Sequence, residues 1–310
     1  MKISLQKLFT SLTIGASIFL SQFAIVDKCE AFPIYAQQAY TNPREANGRI
    51  VCANCHLAQK TTEIEAPQSV LPDSVFEAVV KIPYADGTQQ INASGAKAGL
   101  NVGAIVILPD GFKLAPTKRI PAEIKKKNKG VYISPYSSES QNILVVGPIA
   151  GDKHREIIFP LLSPDPATNK DVFFYKYPIY VGANRGRGQV NPNGEKTNNN
   201  LVTTTVAGQV SSVSTDTVSI KAVDGNTTSI KIPAGVNIIV KEGNIVAIDQ
   251  PLTENPNVGG FGQTDTEIVL QSPARIIGYL ALCFFIILTQ ILLVIKKKQF
   301  EKVQAAEMNF

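Results

Sequence analysis

A mainly β protein is predicted, with a large β-sandwich domain, a small inserted β-domain and one C-terminal transmembrane helix. Three observations predict it. Runs of β-branched and aromatic residues, cut by Pro and Gly, fill the stretch from Pro72 to Val181. A second block of short alternating runs follows a Gly- and Asn-rich stretch at 182–200, and an unbroken apolar segment lies close to the end of the 310-residue chain.

Taken from the start, Lys2 and Lys7 precede an apolar run at 8–24 and a short polar stretch that ends at Ala31. This is the layout of a secretory signal peptide over 1–31, so the exported chain begins at Phe32. Short helices are expected around residues 36–60, with Asn42-Pro43 offering a helix start and Gly48 interrupting it.

The strands of the large domain, 32–199, are expected at 75–84, 103–108, 143–146, 156–162 and 172–181, and read as a β-sandwich. Pro109-Asp110-Gly111 and Asp224-Gly225-Asn226 supply the fixed and positive φ values that tight turns between strands need. Residues 200–249 read as the small domain, with a strand at 217–223. Residues 250–275 return to the large domain, with a strand at 267–270, and serve as linker.

Residues 276–295 carry no charge, and a helix rising about 1.5 Å per residue covers a hydrocarbon core of about 30 Å over that length. Arg275 and Lys296, Lys297 and Lys298 bracket the span. The lysines place the tail, 296–310, on the cytoplasmic or stromal side, in agreement with export of the N-terminal domain.

The net charge of +5 misleads, because residues 32–274 hold 22 Lys and Arg against 21 Asp and Glu. A near-neutral exported domain makes nucleic acid an implausible partner. Lys125, Lys126, Lys127 and Lys129 form a local run that reads as a solvated face before it reads as a docking patch.

Of four cysteines, Cys29 leaves with the signal peptide and Cys283 lies in the membrane span. The remaining two stand in Cys52-Ala53-Asn54-Cys55-His56, the c-type haem attachment spacing: two thiols add to the haem vinyl groups and the adjacent histidine becomes an axial ligand. A thioredoxin-like pair would want a βαβ setting and a zinc site four ligands, and neither is supplied. One covalent haem c is therefore expected. For the second axial position, the only methionines, Met1 and Met308, are out of reach. His154, a lysine or the α-amino group of Phe32 remain, the amine being credible because its ordinary pKa of about 7.7–8.0 lies well below that of lysine.

The residues Phe32-Pro33-Ile34-Tyr35-Ala36-Gln37-Gln38, the attachment motif with its preceding Gly48-Arg49-Ile50-Val51, and Asn255-Pro256-Asn257-Val258-Gly259-Gly260-Phe261-Gly262 closely resemble cytochrome f, the large c-type subunit of the photosynthetic cytochrome bf complex. Further matches run through 164–171, 177–182, 186–189 and 296–310. The resemblance implies a thylakoid membrane protein with a lumenal β-sandwich haem domain, a small inserted domain of barrel-sandwich type and a stromal or cytoplasmic tail. It implies His56 and the Phe32 α-amino group as iron ligands, and an internal water chain lined by Gln90, Asn184, Gln189 and Asn199. Implied partners are the Rieske iron-sulfur protein and cytochrome b within the complex, and plastocyanin or a small soluble c-type cytochrome as acceptor. The implied role is that of an electron carrier and not an enzyme. Two departures stand out: Asn191 where many members have tyrosine, and Gln89, Gln90 and Ala96 with only Lys97 where plant members carry a lysine ridge.

Overall fold

The computed structural model describes residues 33–308, so the predicted signal peptide and Phe32 lie outside the described residues. The chain is mainly β, and its described part divides into two compact units. The larger unit holds 33–88, 99–186 and 258–308, and the smaller holds 89–98 and 187–257. Strands β1–β16 and helices α1–α3 are numbered in chain order.

In the larger unit two sheets face each other. One has the order β1 (Glu63–Glu65), β3 (Val75–Lys81), β10 (Glu156–Leu162), β7 (Lys113–Leu114). The other runs β2 (Ser69–Val70), β16 (Gly260–Leu270), β11 (Lys176–Arg185), β6 (Asn101–Ile107), β9 (Ile143–Ala150), β8 (Ile133–Pro135). Side chains alternate across a strand, so Phe76, Ala78 and Val80 of β3 and Phe159 and Leu161 of β10 meet Ala104, Val106, Leu144, Val146, Ile179 and Val181 from the facing sheet. That layer is the core.

The smaller unit contains a four-stranded sheet of order β14 (Thr227–Lys231), β13 (Thr217–Ala222), β12 (Gly208–Val213), β15 (Ile245–Val246), with the two-stranded β4 (Gln89–Ile91) and β5 (Lys97–Gly99). Val210, Val218, Ile220, Val246 and Leu252 make its core, and Ile91 joins them from the β4 strand. Both predicted turns form. Gly111 and Gly225 take φ of +87°, and Asn226 N donates to Asp224 Oδ1 at 3.0 Å.

Three expectations are corrected. No helix starts at Asn42-Pro43, because the Asn42 side chain accepts from Arg44 N at 3.0 Å and Gly48 turns the chain at φ +89°, closing a loop. The helix is α1, Pro33–Ala39, followed by a 3₁₀ turn at Val51–Asn54. The strand expected at 172–181 is displaced to Lys176–Arg185, since Gly182-Ala183-Asn184-Arg185 lack β-branched residues yet pair on both sides, with Gly260 to Gln263 and with Val102 to Ile105. The return strand starts at Gly260, seven residues earlier than expected, for the same reason of pairing.

The last helix, α3, runs Pro273–Glu307, with Ser272 Oγ accepting from Arg275 N. It is long and apolar enough to cross a membrane. Helix α2 (Ala122–Lys127) buries Ile124 and leaves Lys125, Lys126, Lys127 and the following Lys129 exposed.

Candidate haem site

The attachment motif is folded by its own backbone. Cys55 N and His56 N both donate to Cys52 O, at 3.2 and 3.0 Å, and Val51 N donates to Pro43 O at 2.9 Å. One tight turn thus gathers Cys52, Cys55 and His56. Arg49 holds its outer side, bonding the Asn54 side chain and Ala53 O.

Beneath the turn lies the second face of the six-stranded sheet. The alternation that sends Ala104, Val106, Leu144 and Val146 into the sandwich core sends Ile105 and Val145 the other way. There they meet Ile50, Tyr136 and Phe261, with Cys52 and Ala53 packed against them. A sheet apolar on both faces needs a cover on each, and here the attachment segment lies on the second.

Glycines make the close approach feasible. A Cβ on Gly182 would collide with the Phe261 ring and come within 3.0 Å of Ile50 Cδ1, and one on Gly262 would collide with Lys60 O. The chain after His56 therefore runs along β16, with Phe261 N donating to Ala58 O and Lys60 N to Phe261 O. Arg185, 2% exposed, secures the end of that run: its Nη1 donates to Pro83 O at 3.0 Å, and its Nη2 to Thr61 O and to Thr62 Oγ1. Burial lowers its pKa.

His56 is 5% exposed, and its Nδ1 is buried with no hydrogen-bond partner among the described residues. Burial pulls its imidazole down to about 4, so it is neutral at physiological pH with a lone pair to give. A buried ring nitrogen without a partner is costly unless something else satisfies it. Burial likewise pushes the Cys52 thiol up to about 12, and Cys52 and Cys55 are free thiols. Two thiols and a buried neutral imidazole in one turn, over an apolar floor, fit a c-type haem.

Tyr136 ties the amino-terminal helix to the same floor. Its hydroxyl proton is shared between Ala36 O and Tyr40 O, each at 2.7 Å, and Gln37 Nε2 donates to Tyr136 O at 2.6 Å. Helix α1 begins at Pro33, next to Phe32. His154, the rival ligand, lies in a turn after the 3₁₀ helix Gly151–Lys153 and donates from Nδ1 to Ala150 O at 2.8 Å.

Of the four water-chain residues, three meet. Gln90 Oε1 accepts from Arg187 N at 2.8 Å, while Gln189 Nε2 and Asn199 Nδ2 donate to Arg187 O at 3.2 and 2.9 Å. Asn199 also reaches Asn257 Oδ1 at 3.2 Å. Asn184 belongs to the larger unit, on β11, where its Oδ1 lies over Gly103. Sequence reasoning missed Gln263, Tyr136 and Arg185. Only Arg185 carried a signal, as a charge that follows the uncharged run at 177–184.

Two family models match this chain: apocytochrome F, N-terminal, over 32–186, and apocytochrome F, C-terminal, over 198–310. The chain belongs to the cytochrome f family. It is 59% identical to cytochrome f of Guillardia theta over 95% of this chain and 93% of that one. It is 58% identical to cytochrome f of Emiliania huxleyi, over 97% of each, and 57% identical to that of Porphyra purpurea, over 99% and 97%. With α3, it is a membrane-anchored member. Family membership brings haem, electron transport and photosynthesis with it.

Proposed function

We propose that the chain carries one haem covalently on Cys52 and Cys55, with His56 and the α-amino group of Phe32 as axial ligands. In this reading it accepts electrons singly from a Rieske iron-sulfur subunit of the cytochrome bf complex and passes them to plastocyanin or a small soluble c-type cytochrome. The observation that carries the reading is His56: buried and neutral, its Nδ1 without a hydrogen bond among the described residues, in the turn that also holds both thiols.

Haem, when bound, supplies a reversible ferric and ferrous couple. The chain's residues do the rest. Cys52 and Cys55 would tether the group, Ile105, Val145 and Phe261 would shield it from water, and His56 would give a neutral nitrogen. Tyr136 fixes α1, whose first residue, Pro33, follows Phe32 in the sequence. His56 and the Phe32 amine would together hold the iron and leave it closed to substrate, which suits a carrier and not an oxidase or gas sensor. Gln90, Gln189 and Asn199 are the candidate lining of an internal water path.

In this reading the chain sits in the thylakoid membrane with both β units in the lumen, and the lysines that open the tail 296–310 favour the stroma or cytoplasm for it. N-terminal sequencing of the purified haem protein, joined to its near-infrared and magnetic resonance spectra, tests the reading. Phe32 as first residue with a histidine and amine spectrum is expected. A bis-histidine spectrum would move the second ligand to His154.

A further inference from the structure

Three large apolar side chains stand exposed at the end of the larger unit from which the chain enters α3. Leu71 is 47% exposed, Phe173 56% and Tyr175 65%, and the rings of Phe173 and Tyr175 lie 5.9 Å apart. Phe174 between them packs on the sandwich core, which turns its two neighbours outward.

Their place in the fold is set by hydrogen bonds to the last residues before the helix. Val70 pairs with Leu270, and its carbonyl accepts from Gln271 N at 2.8 Å. On the other side of β16, Tyr175 O accepts from Leu270 N at 3.0 Å. Leu71 and the aromatic pair thus flank residues 270–271.

The uncharged run starts at Ile276, and from Gln271 two extended steps followed by three helical ones span at most about 11 Å. The polar layer on each side of a bilayer is about 5–8 Å thick, so the large side chains beside residues 270–271 stand at its outer edge, within reach of the headgroups. Aromatic residues with one polar end favour that layer. The ion pair of Lys176 with Glu267 lies just further up the strands, on the water side.

We propose that Leu71, Phe173 and Tyr175 rest in the headgroup layer of the bilayer that α3 crosses, and hold the larger unit against the lipid surface. The inference stands on α3 as a membrane helix and is independent of the haem reading. It has a consequence for the site: Gln263, which holds the attachment segment, is seven residues from Leu270, about 23 Å along the strand. Seating of this apolar edge then sets how far from the lipid the Cys52 turn is carried.

The test uses the chain's lack of tryptophan. Tyr175→Trp and Phe173→Trp give single reporters at exposed aromatic positions, and Tyr132→Trp is the control. Tyr132 is 81% exposed and adjoins Ile133, which is in register through Val146, Ala104 and Ala183 with Gly262. That level is eight residues from Leu270, about 26 Å along β16.

Each full-length variant is placed in phosphatidylcholine vesicles whose chains are either plain or brominated near the headgroup end. Bromination should at least halve the emission of Tyr175→Trp and of Phe173→Trp relative to plain lipid, and acrylamide should quench both several-fold less than the control. Emission indifferent to bromine and open to acrylamide, as in Tyr132→Trp, would overturn the proposal. Protection from both quenchers would mean that protein covers the patch, and overturns the lipid assignment equally. If one reporter variant does not fold, as judged by its far-ultraviolet spectrum, the other carries the test.

Discussion

The side-chain amide of Gln263 holds Ile50 from 213 positions away in the chain. Its Oε1 accepts from Ile50 N at 3.0 Å, and its Nε2 donates to Gly48 O at 3.1 Å. The backbone two residues before Cys52 is thereby fixed to β16, and the attachment turn starts from a set position. Gln263→Leu keeps the volume and loses both bonds. It should destabilise the protein by about 1–2 kcal/mol in urea unfolding, while a covalent haem stain stays unchanged.

Tyr136→Phe removes the one proton that Ala36 O and Tyr40 O share. The expected result is a loss of about 1–2 kcal/mol and a magnetic resonance spectrum broadened by loosening of α1. Burial raises the phenol to about 12. A raised acid keeps its full contribution below the unfolded value of about 10, and loses it as pH climbs toward the folded value. Wild-type stability should therefore fall between about pH 10 and 12 more steeply than that of Tyr136→Phe, as read from alkaline unfolding curves.

Arg185→Lys tests the buried fork. An ammonium cannot reach Pro83 O, Thr61 O and Thr62 Oγ1 at once. A cost of about 2 kcal/mol is expected, with faster proteolysis in the 57–62 run as the local readout.

Cys55→Ala should leave one thioether and a haem that still migrates with the chain on a denaturing gel. Cys52→Ala together with Cys55→Ala should leave none, with no stain. Retention of stain in the double variant would sink the covalent assignment.

A precursor whose cleavage is blocked by substitution at Ala31 has no free amine at Phe32. It should keep its covalent stain and show altered axial ligation. An unchanged histidine and amine spectrum would show that some other amine serves the metal.

Much of this was legible because it is local. The membrane helix is a matter of length and composition, the Cys52 to His56 spacing is five consecutive residues, and the strands at 75–81 and 156–162 announce themselves by β-branched and aromatic runs. Where strand formation depends on a partner, the signal fails. Gly182 to Arg185 and Gly260 to Gly262 look like loop by composition, yet their missing Cβ atoms are what let Phe261 and Lys60 approach.

The β class, the membrane anchor and the motif whose chemistry demands a haem could all be read from the chain alone, since each is encoded within a few consecutive residues or one composition. It took the folded arrangement to establish that Gln263 and Tyr136 clamp the attachment segment and α1, that Arg185 is buried beneath its far end, and that residues 89–98 cluster with 187–257. Hydrogen bonds and apolar contacts across such separations depend on which strands end up adjacent, and strand adjacency is a property of the folded sheet and not of any window of the chain.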